Sequence, residues 1–170
     1  MKAPALAILA ATLAGPATAE TLFLCWEGYG GYTMTGRMTY PDDLSGRPII
    51  TEGDVTEFEI TGYFEGGLVG RWSLEELTPD TSWLLRYDTR RGIFPLKGDD
   101  GLYQMWNANG AVNDCGTPGF GFNAGNGGQD VCIDGTYIAT STIPWDTPIV
   151  ASDQEPVPTC EGSALLGRRD

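Results

Sequence analysis

Apolar and polar residues alternate with a period of two along most of this chain, and no long 3.6-residue period replaces that alternation. Tyr32, Met34, Met38 and Tyr40 fall on one face of an extended segment, and Thr33, Thr35, Arg37 and Thr39 on the other. Gly30-Gly31 can turn the chain into that segment from a first strand over residues 21–27, and Pro41-Asp42-Asp43 supplies turn chemistry at its end. Thr56, Phe58, Ile60 and Phe64 alternate in the same way against Glu57, Glu59, Thr61 and Tyr63. Gly66-Gly67 joins that strand to one over residues 68–74, giving a second hairpin.

Further strands are expected over residues 83–89 and 92–96, paired around Arg90-Arg91, and over 102–106, which runs into Asn107-Ala108-Asn109-Gly110. The Asn-Gly dipeptide favours a tight hairpin turn. Residues 131–133 and 137–143 predict a last hairpin across Asp134-Gly135. One short helical turn is predicted at residues 73–77, where Ser73 can cap with Glu76 three residues later. Beyond Pro144 the chain is proline-rich and polar, and residues 152–170 read as an irregular tail. Short strands at regular spacing with Gly-rich turns predict an all-β chain folded as a single antiparallel β-sandwich, with a small β-barrel as the alternative.

Residues 1–19 have the form of a secretory signal peptide. Lys2 is the charged start, an Ala/Leu-rich apolar stretch follows, and Ala17-Thr18-Ala19 is a small-x-small cleavage site before Glu20. The apolar stretch is too short to span a bilayer. Removing 19 of the 170 residues leaves 151, enough for one β domain over 20–151 followed by the tail. The mature chain is then expected in the periplasm or the medium, as a soluble protein with no integral membrane segment.

Four cysteines remain in that mature chain: Cys25, Cys115, Cys132 and Cys160. Leu22-Phe23-Leu24 lacks the small residues that precede a lipidated cysteine. An even count in an exported chain implies two disulfides, with three possible connectivities. The favoured one is Cys115–Cys132, closing a Gly-rich segment, with Cys25–Cys160 tying the first strand to the tail.

Charge and composition narrow the chemistry. The formal net charge of −13 becomes −14 without Lys2, which argues against nucleic acid and anionic membrane surfaces. It permits cationic partners or divalent metals. Histidine is absent, which removes Ser-His-Asp and Cys-His catalysis and His-ligated metal sites. Lys97 is the one mature lysine and sits beside an apparent loop.

Three constellations stand out. Glu57 and Glu59 share one strand face about 6.6 Å apart at Cα, near the carboxyl spacing of inverting glycosidases. Those enzymes, however, place the two groups on opposite sides of the scissile bond, so a solvated strand face is the simpler reading; Asp42-Asp43, Glu75-Glu76 and Asp99-Asp100 are weaker pairs. Residues 125–130, Gly-Asn-Gly-Gly-Gln-Asp, nearly match the calcium turn of β-roll repeats, with Asn126 and Asp130 as ligands and Asp114 or Asp134 as extra oxygens. The motif occurs once, whereas β-rolls stack copies, so no cofactor is required and calcium is the one metal possible. The five tryptophans are the clearest hint of binding. Trp72 and Trp83 sit among apolar strand residues, whereas Trp26, Trp106 and Trp145 adjoin Gly, Asn or Pro and are the candidate exposed ligand-binding rings.

Residues 50–62, Ile-Thr-Glu-Gly-Asp-Val-Thr-Glu-Phe-Glu-Ile-Thr-Gly, and 106–110, Trp-Asn-Ala-Asn-Gly, give the chain a family resemblance. Over roughly residues 21–143 it resembles the ectodomains of exported bacterial proteins with PEP-CTERM-type sorting tails. Glu155-Pro156-Val157-Pro158 and Arg168-Arg169 are similar to the opening and basic end of such a tail, but only Ala164-Leu165-Leu166 lies between them as an apolar run. The resemblance implies a secreted all-β envelope or matrix protein without an assigned reaction or catalytic residues.

The leading expectation is therefore a non-enzymatic binding or structural protein of the envelope, with carbohydrate or another extracellular polymer as partner. An acidic binder or inhibitor of a cationic protein such as a lysozyme, and a carboxylate-dependent glycoside hydrolase, are the alternatives.

Overall fold

The computed structural model describes residues 18–97, 101, 104–107, 115–123 and 128–161. Among these residues fifteen strands run in chain order: β1 (Ala19–Glu27), β2 (Tyr32–Pro41), β3 (Ile49–Thr51), β4 (Glu57–Phe64), β5 (Gly67–Ser73), β6 (Trp83–Leu84), β7 (Arg86–Asp88), β8 (Ile93–Phe94), β9 (Met105–Trp106), β10 (Phe120–Phe122), β11 (Gly128–Gln129), β12 (Val131–Ile133), β13 (Thr136–Tyr137), β14 (Ile143–Pro144) and β15 (Ile149–Ser152). They pair antiparallel throughout. An eight-stranded sheet has the order β3-β7-β8-β15-β1-β2-β4-β5, a smaller sheet the order β13-β12-β10-β9-β6, and β11 and β14 form a two-stranded ribbon. The described residues form no α-helix; three-residue 3-10 turns are the only helical pieces.

The expected alternation sets the faces of the large sheet. Leu22, Leu24 and Trp26 of β1, Met34, Met38 and Tyr40 of β2, and Phe58 and Ile60 of β4 are all buried. The intervening threonines and charged residues face outward, so a one-residue slip in register would expose the whole core row. Gly30 and Gly31 turn β1 into β2 at φ +67° and +84°, and Asp134-Gly135 turn β12 into β13 with φ positive at both, the geometry of a tight hairpin. The capped turn also forms. Leu74–Glu76 is a 3-10 turn whose Ser73 N–H donates to Glu76 Oε1 at 3.2 Å.

The large sheet curls around an aromatic core shared with the smaller one. Trp106 of β9 packs on Phe58, Phe94 and Phe122 at 4.9, 6.1 and 4.7 Å between ring centres. Trp83 meets Phe58 at 4.8 Å and Trp72 at 5.6 Å, and Trp26 meets Phe122 at 5.5 Å. Phe120 of β10 packs against β4 at Gly62, where a Cβ would sit 2.0 Å from its ring. Gly62→Ala is therefore expected to destabilise by about 2–3 kcal/mol through overpacking. Urea denaturation checks this, and Phe120→Leu in the Gly62→Ala background should recover part of the loss.

Two expected strands are divided. The 83–89 segment breaks at fully buried Leu85: Trp83–Leu84 joins β9 in the smaller sheet, and Arg86–Asp88 joins β3 and β8 in the larger. Side chains take over the ladder at that crossing, since Glu52 accepts from Leu85 N–H and Gln104 Oε1 from Arg86 N–H. The 137–143 strand stops after Tyr137. Ser141 there donates to the Ile138 carbonyl and accepts from the Val131 N–H, and a 3-10 turn at Ala139–Ser141 replaces the ladder. Residues 102, 103 and 108–110 of the expected 102–106 strand and its turn lie outside the described residues, as do residues 1–17 of the expected leader and 162–170 of the expected tail.

Both expected disulfides are present. Cys25–Cys160 joins β1 to the tail at a Cα separation of 5.6 Å, and Cys115–Cys132 spans 5.9 Å. Such bonds form and persist in oxidising compartments. No helix among the described residues is long and apolar enough to cross a membrane.

Candidate functional site

Two of the three tryptophans expected at the surface are core residues. Trp26 is 2% exposed and Trp106 fully buried. Trp26 follows Leu22 and Leu24 on the inward face of β1, and Gly28 is where its ring goes: a Cβ on Gly28 would lie 2.3 Å from Trp26 Cη2. The small neighbour makes room for a buried indole and does not mark an exposed one. Trp106 is likewise followed by a turn residue, Asn107 at φ +57°, which redirects the chain after the ring is buried. Trp145 alone of the five is largely exposed, at 52%.

Of the calcium constellation the structure describes Asp130 and Asp134, which stand apart. Asn126 and Asp114 lie outside the described residues. Asp130 is buried just before β12, whereas Asp134 is exposed in the turn after it and accepts the Gly119 N–H at 3.0 Å. The three residues of β12 lie between them, and four steps of about 3.3 Å set their Cα atoms about 13 Å apart, which keeps their oxygens from converging on one ion. Among the described residues no three His, Cys, Asp or Glu side chains stand close enough to hold a metal.

The outer face of β1-β2-β4-β5 carries the most polar chemistry. Register places Phe23, Arg37, Glu59 and Ser73 in one row across the four strands, and Cys25, Thr35, Thr61 and Arg71 in the next. A third row runs from Glu27 through Thr33 and Tyr63 to Leu68. Glu57 and Glu59 both turn to Arg37, at 3.5 and 3.1 Å, with all three side chains about half exposed. The carboxylates thus flank a guanidinium on one surface and do not face each other across a cleft.

Two open grooves share Arg37 and Glu59. One, of about 310 Å³, extends over Glu57, Ser73 and Glu75; the other, of about 270 Å³, extends over Phe23, Thr61 and Tyr63. The second has a wall from outside the sheet. The segment after β15 returns across β1 and β2, and Glu155, Pro156 and Pro158 line the groove with it. That strap is held by Thr33 Oγ1, which donates to the Pro158 carbonyl at 2.6 Å, and by the Cys25–Cys160 bond. A third groove, of about 360 Å³ and more apolar, lies beside the same disulfide, lined by Ile143, Pro148, Ile149 and Val150.

Sequence reasoning singled out Glu57, Glu59 and Trp145 but missed Arg37, Phe23, Tyr63 and the strap. Phe23 and Tyr63 lie on the polar side of the alternation, and an aromatic among threonines on that side was the available signal. The strap had none, because a proline-rich tail reads as irregular whether or not it returns to the sheet. The chain matches no protein-family model, no curated protein and no solved structure.

Proposed function

We propose that this is a non-enzymatic binding protein of the bacterial envelope, acting in the periplasm or outside the cell, whose outer sheet face docks an extracellular polymer, carbohydrate foremost. The observation that carries this reading is the pair of grooves meeting at Arg37 and Glu59 on the open sheet face, one of them walled by the strap. Sugar hydroxyls are recognised by planar charged groups and hydroxyls beside a partly exposed ring, and Arg37, Glu59, Thr61 and Tyr63 supply that set. Exposed ion pairs contribute at most about 1 kcal/mol to folding, so a ligand can exchange with Arg37 or Glu59 at little cost. The leader-like start, the two disulfides and the resemblance to exported bacterial ectodomains support the location.

Co-sedimentation of the mature chain with insoluble polysaccharides tests it. Tyr63→Ala and Arg37→Ala should each weaken binding about tenfold, which is roughly 1.4 kcal/mol, with the fold intact. Wild-type protein that sediments with none of them, or variants that sediment unchanged, would refute it. A cationic partner is the second reading, favoured by Glu57, Glu59, Glu75 and Glu155 standing against Arg37 in these grooves. Salt separates the two: steering of a cationic protein fades as ionic strength rises, whereas neutral sugar binding does not.

A further inference from the structure

We infer that the turn carrying Trp145 is a preorganised stacking subsite for a ring of a neutral polysaccharide, which rests on the polymer-binding reading above and adds a second, separate contact to it. Trp145 is the one largely exposed indole of five, and the fold holds its backbone unusually firmly. Gln129 is fully buried, and the two hydrogens of its side-chain amide are shared among the carbonyls of Pro144, Trp145 and Thr147, at 3.3, 3.3 and 2.5 Å from Nε2. The Thr147 N–H closes the turn on the Pro144 carbonyl at 3.2 Å, and β14 enters it already paired to β11. Pro144 and Pro148 fix φ on either side.

A buried glutamine whose donors all go to an exposed turn leaves the Trp145 backbone little freedom to lose on binding. That is preorganisation, which raises affinity by lowering the ordering cost. The indole offers a flat apolar face suited to the C–H face of a pyranose, and Asp146 and Thr147, exposed on the same turn, bring a carboxylate and a hydroxyl for its polar edge. The apolar groove reaching from Thr147 and Pro148 toward Cys25 and Cys160 gives the chain of rings somewhere to continue. The net charge of −13 repels anionic polymers, and the uncharged indole face suits a neutral ring.

The test is affinity electrophoresis of the mature chain through gels containing a mixed-linkage β-glucan, a galactomannan or a dextran, paired with acrylamide quenching of tryptophan emission. At least one polymer should retard the wild type and shield its emission. Trp145→Ala should then bind at least tenfold more weakly with an unchanged melting temperature, and Trp145→Phe should stay within about threefold of wild type. Retardation that Trp145→Ala leaves intact but Tyr63→Ala weakens would overturn the subsite and leave the outer-face reading standing. A wild type retarded by none of the three overturns the subsite, while the outer-face reading is judged by the insoluble polymers. Shielding by zwitterionic lipid vesicles in place of glycan would also overturn it and assign the turn to a membrane surface.

Discussion

Trp106→Ala is expected to lower stability by about 3–5 kcal/mol, the range for truncating a buried large aromatic. In a domain of this size that is a fall in melting temperature of roughly 10 °C or more. The ring fills the space where both sheets meet, touching Phe58 of β4, Phe94 of β8 and Phe122 of β10. Removing it therefore leaves a cavity lined by three other aromatics on two sheets, which cannot collapse without moving both. Its Nε1 has no acceptor among the described residues, so Trp106→Phe sheds an unpaired buried N–H along with ring volume and should cost distinctly less than the alanine. Thermal melts of the two variants check the order. A tryptophan serving as an exposed ligand platform would behave the other way, with binding lost and stability kept.

That contrast shows what the residue pattern carried and where it stopped. Long strands were legible because their register is written locally: Leu22, Leu24 and Trp26 against Phe23 and Cys25, or Phe58 and Ile60 against Glu57 and Glu59, admit only one inward face. The Gly30-Gly31 and Asp134-Gly135 turns were legible for the same reason, since positive φ is a local demand. The partners of the two-residue strands were not. Met105–Trp106 lies inside the expected 102–106 strand, but its place between Trp83–Leu84 and Phe122 is encoded by nothing within a few residues.

The site follows the same division. Trp145 could be picked out from its proline neighbours, but the residue that fixes it, Gln129, lies 16 positions earlier in the chain, inside a Gly-rich stretch that reads as a calcium turn. Its role comes from the β11–β14 pairing, which is a property of the fold. Trp26 was misjudged because a neighbouring glycine has two opposite meanings, an exposed turn or a slot for a ring. Only the packing of that ring over Gly28 distinguishes them.

Replacing Cys25 and Cys160 together by serine should have the largest effect of any change away from the core, and it should act on stability and binding at once. The bond spans 135 residues, so in the chain-entropy account its loss frees the unfolded chain by about 5 kcal/mol, against about 3 kcal/mol for Cys115–Cys132 with its separation of 17. The folded side loses little packing beyond the cystine itself, and among the described residues the Thr33 hydroxyl bond to Pro158 is the side-chain hydrogen bond left to hold the strap on the sheet. One hydrogen bond of about 1 kcal/mol cannot keep the strap from Asp153 to Cys160 on the sheet. The groove formed by Phe23, Thr61 and Tyr63 then loses its outer wall of Pro156 and Pro158. Denaturant titration should show the large stability loss, and brief proteolysis under native conditions should cut the strap in the double variant and spare it in wild type. Polymer binding at the outer face should weaken in step with that cleavage. If stability falls while the strap stays protected and binding persists, the strap is held by the sheet itself, and its part in the groove does not depend on the disulfide.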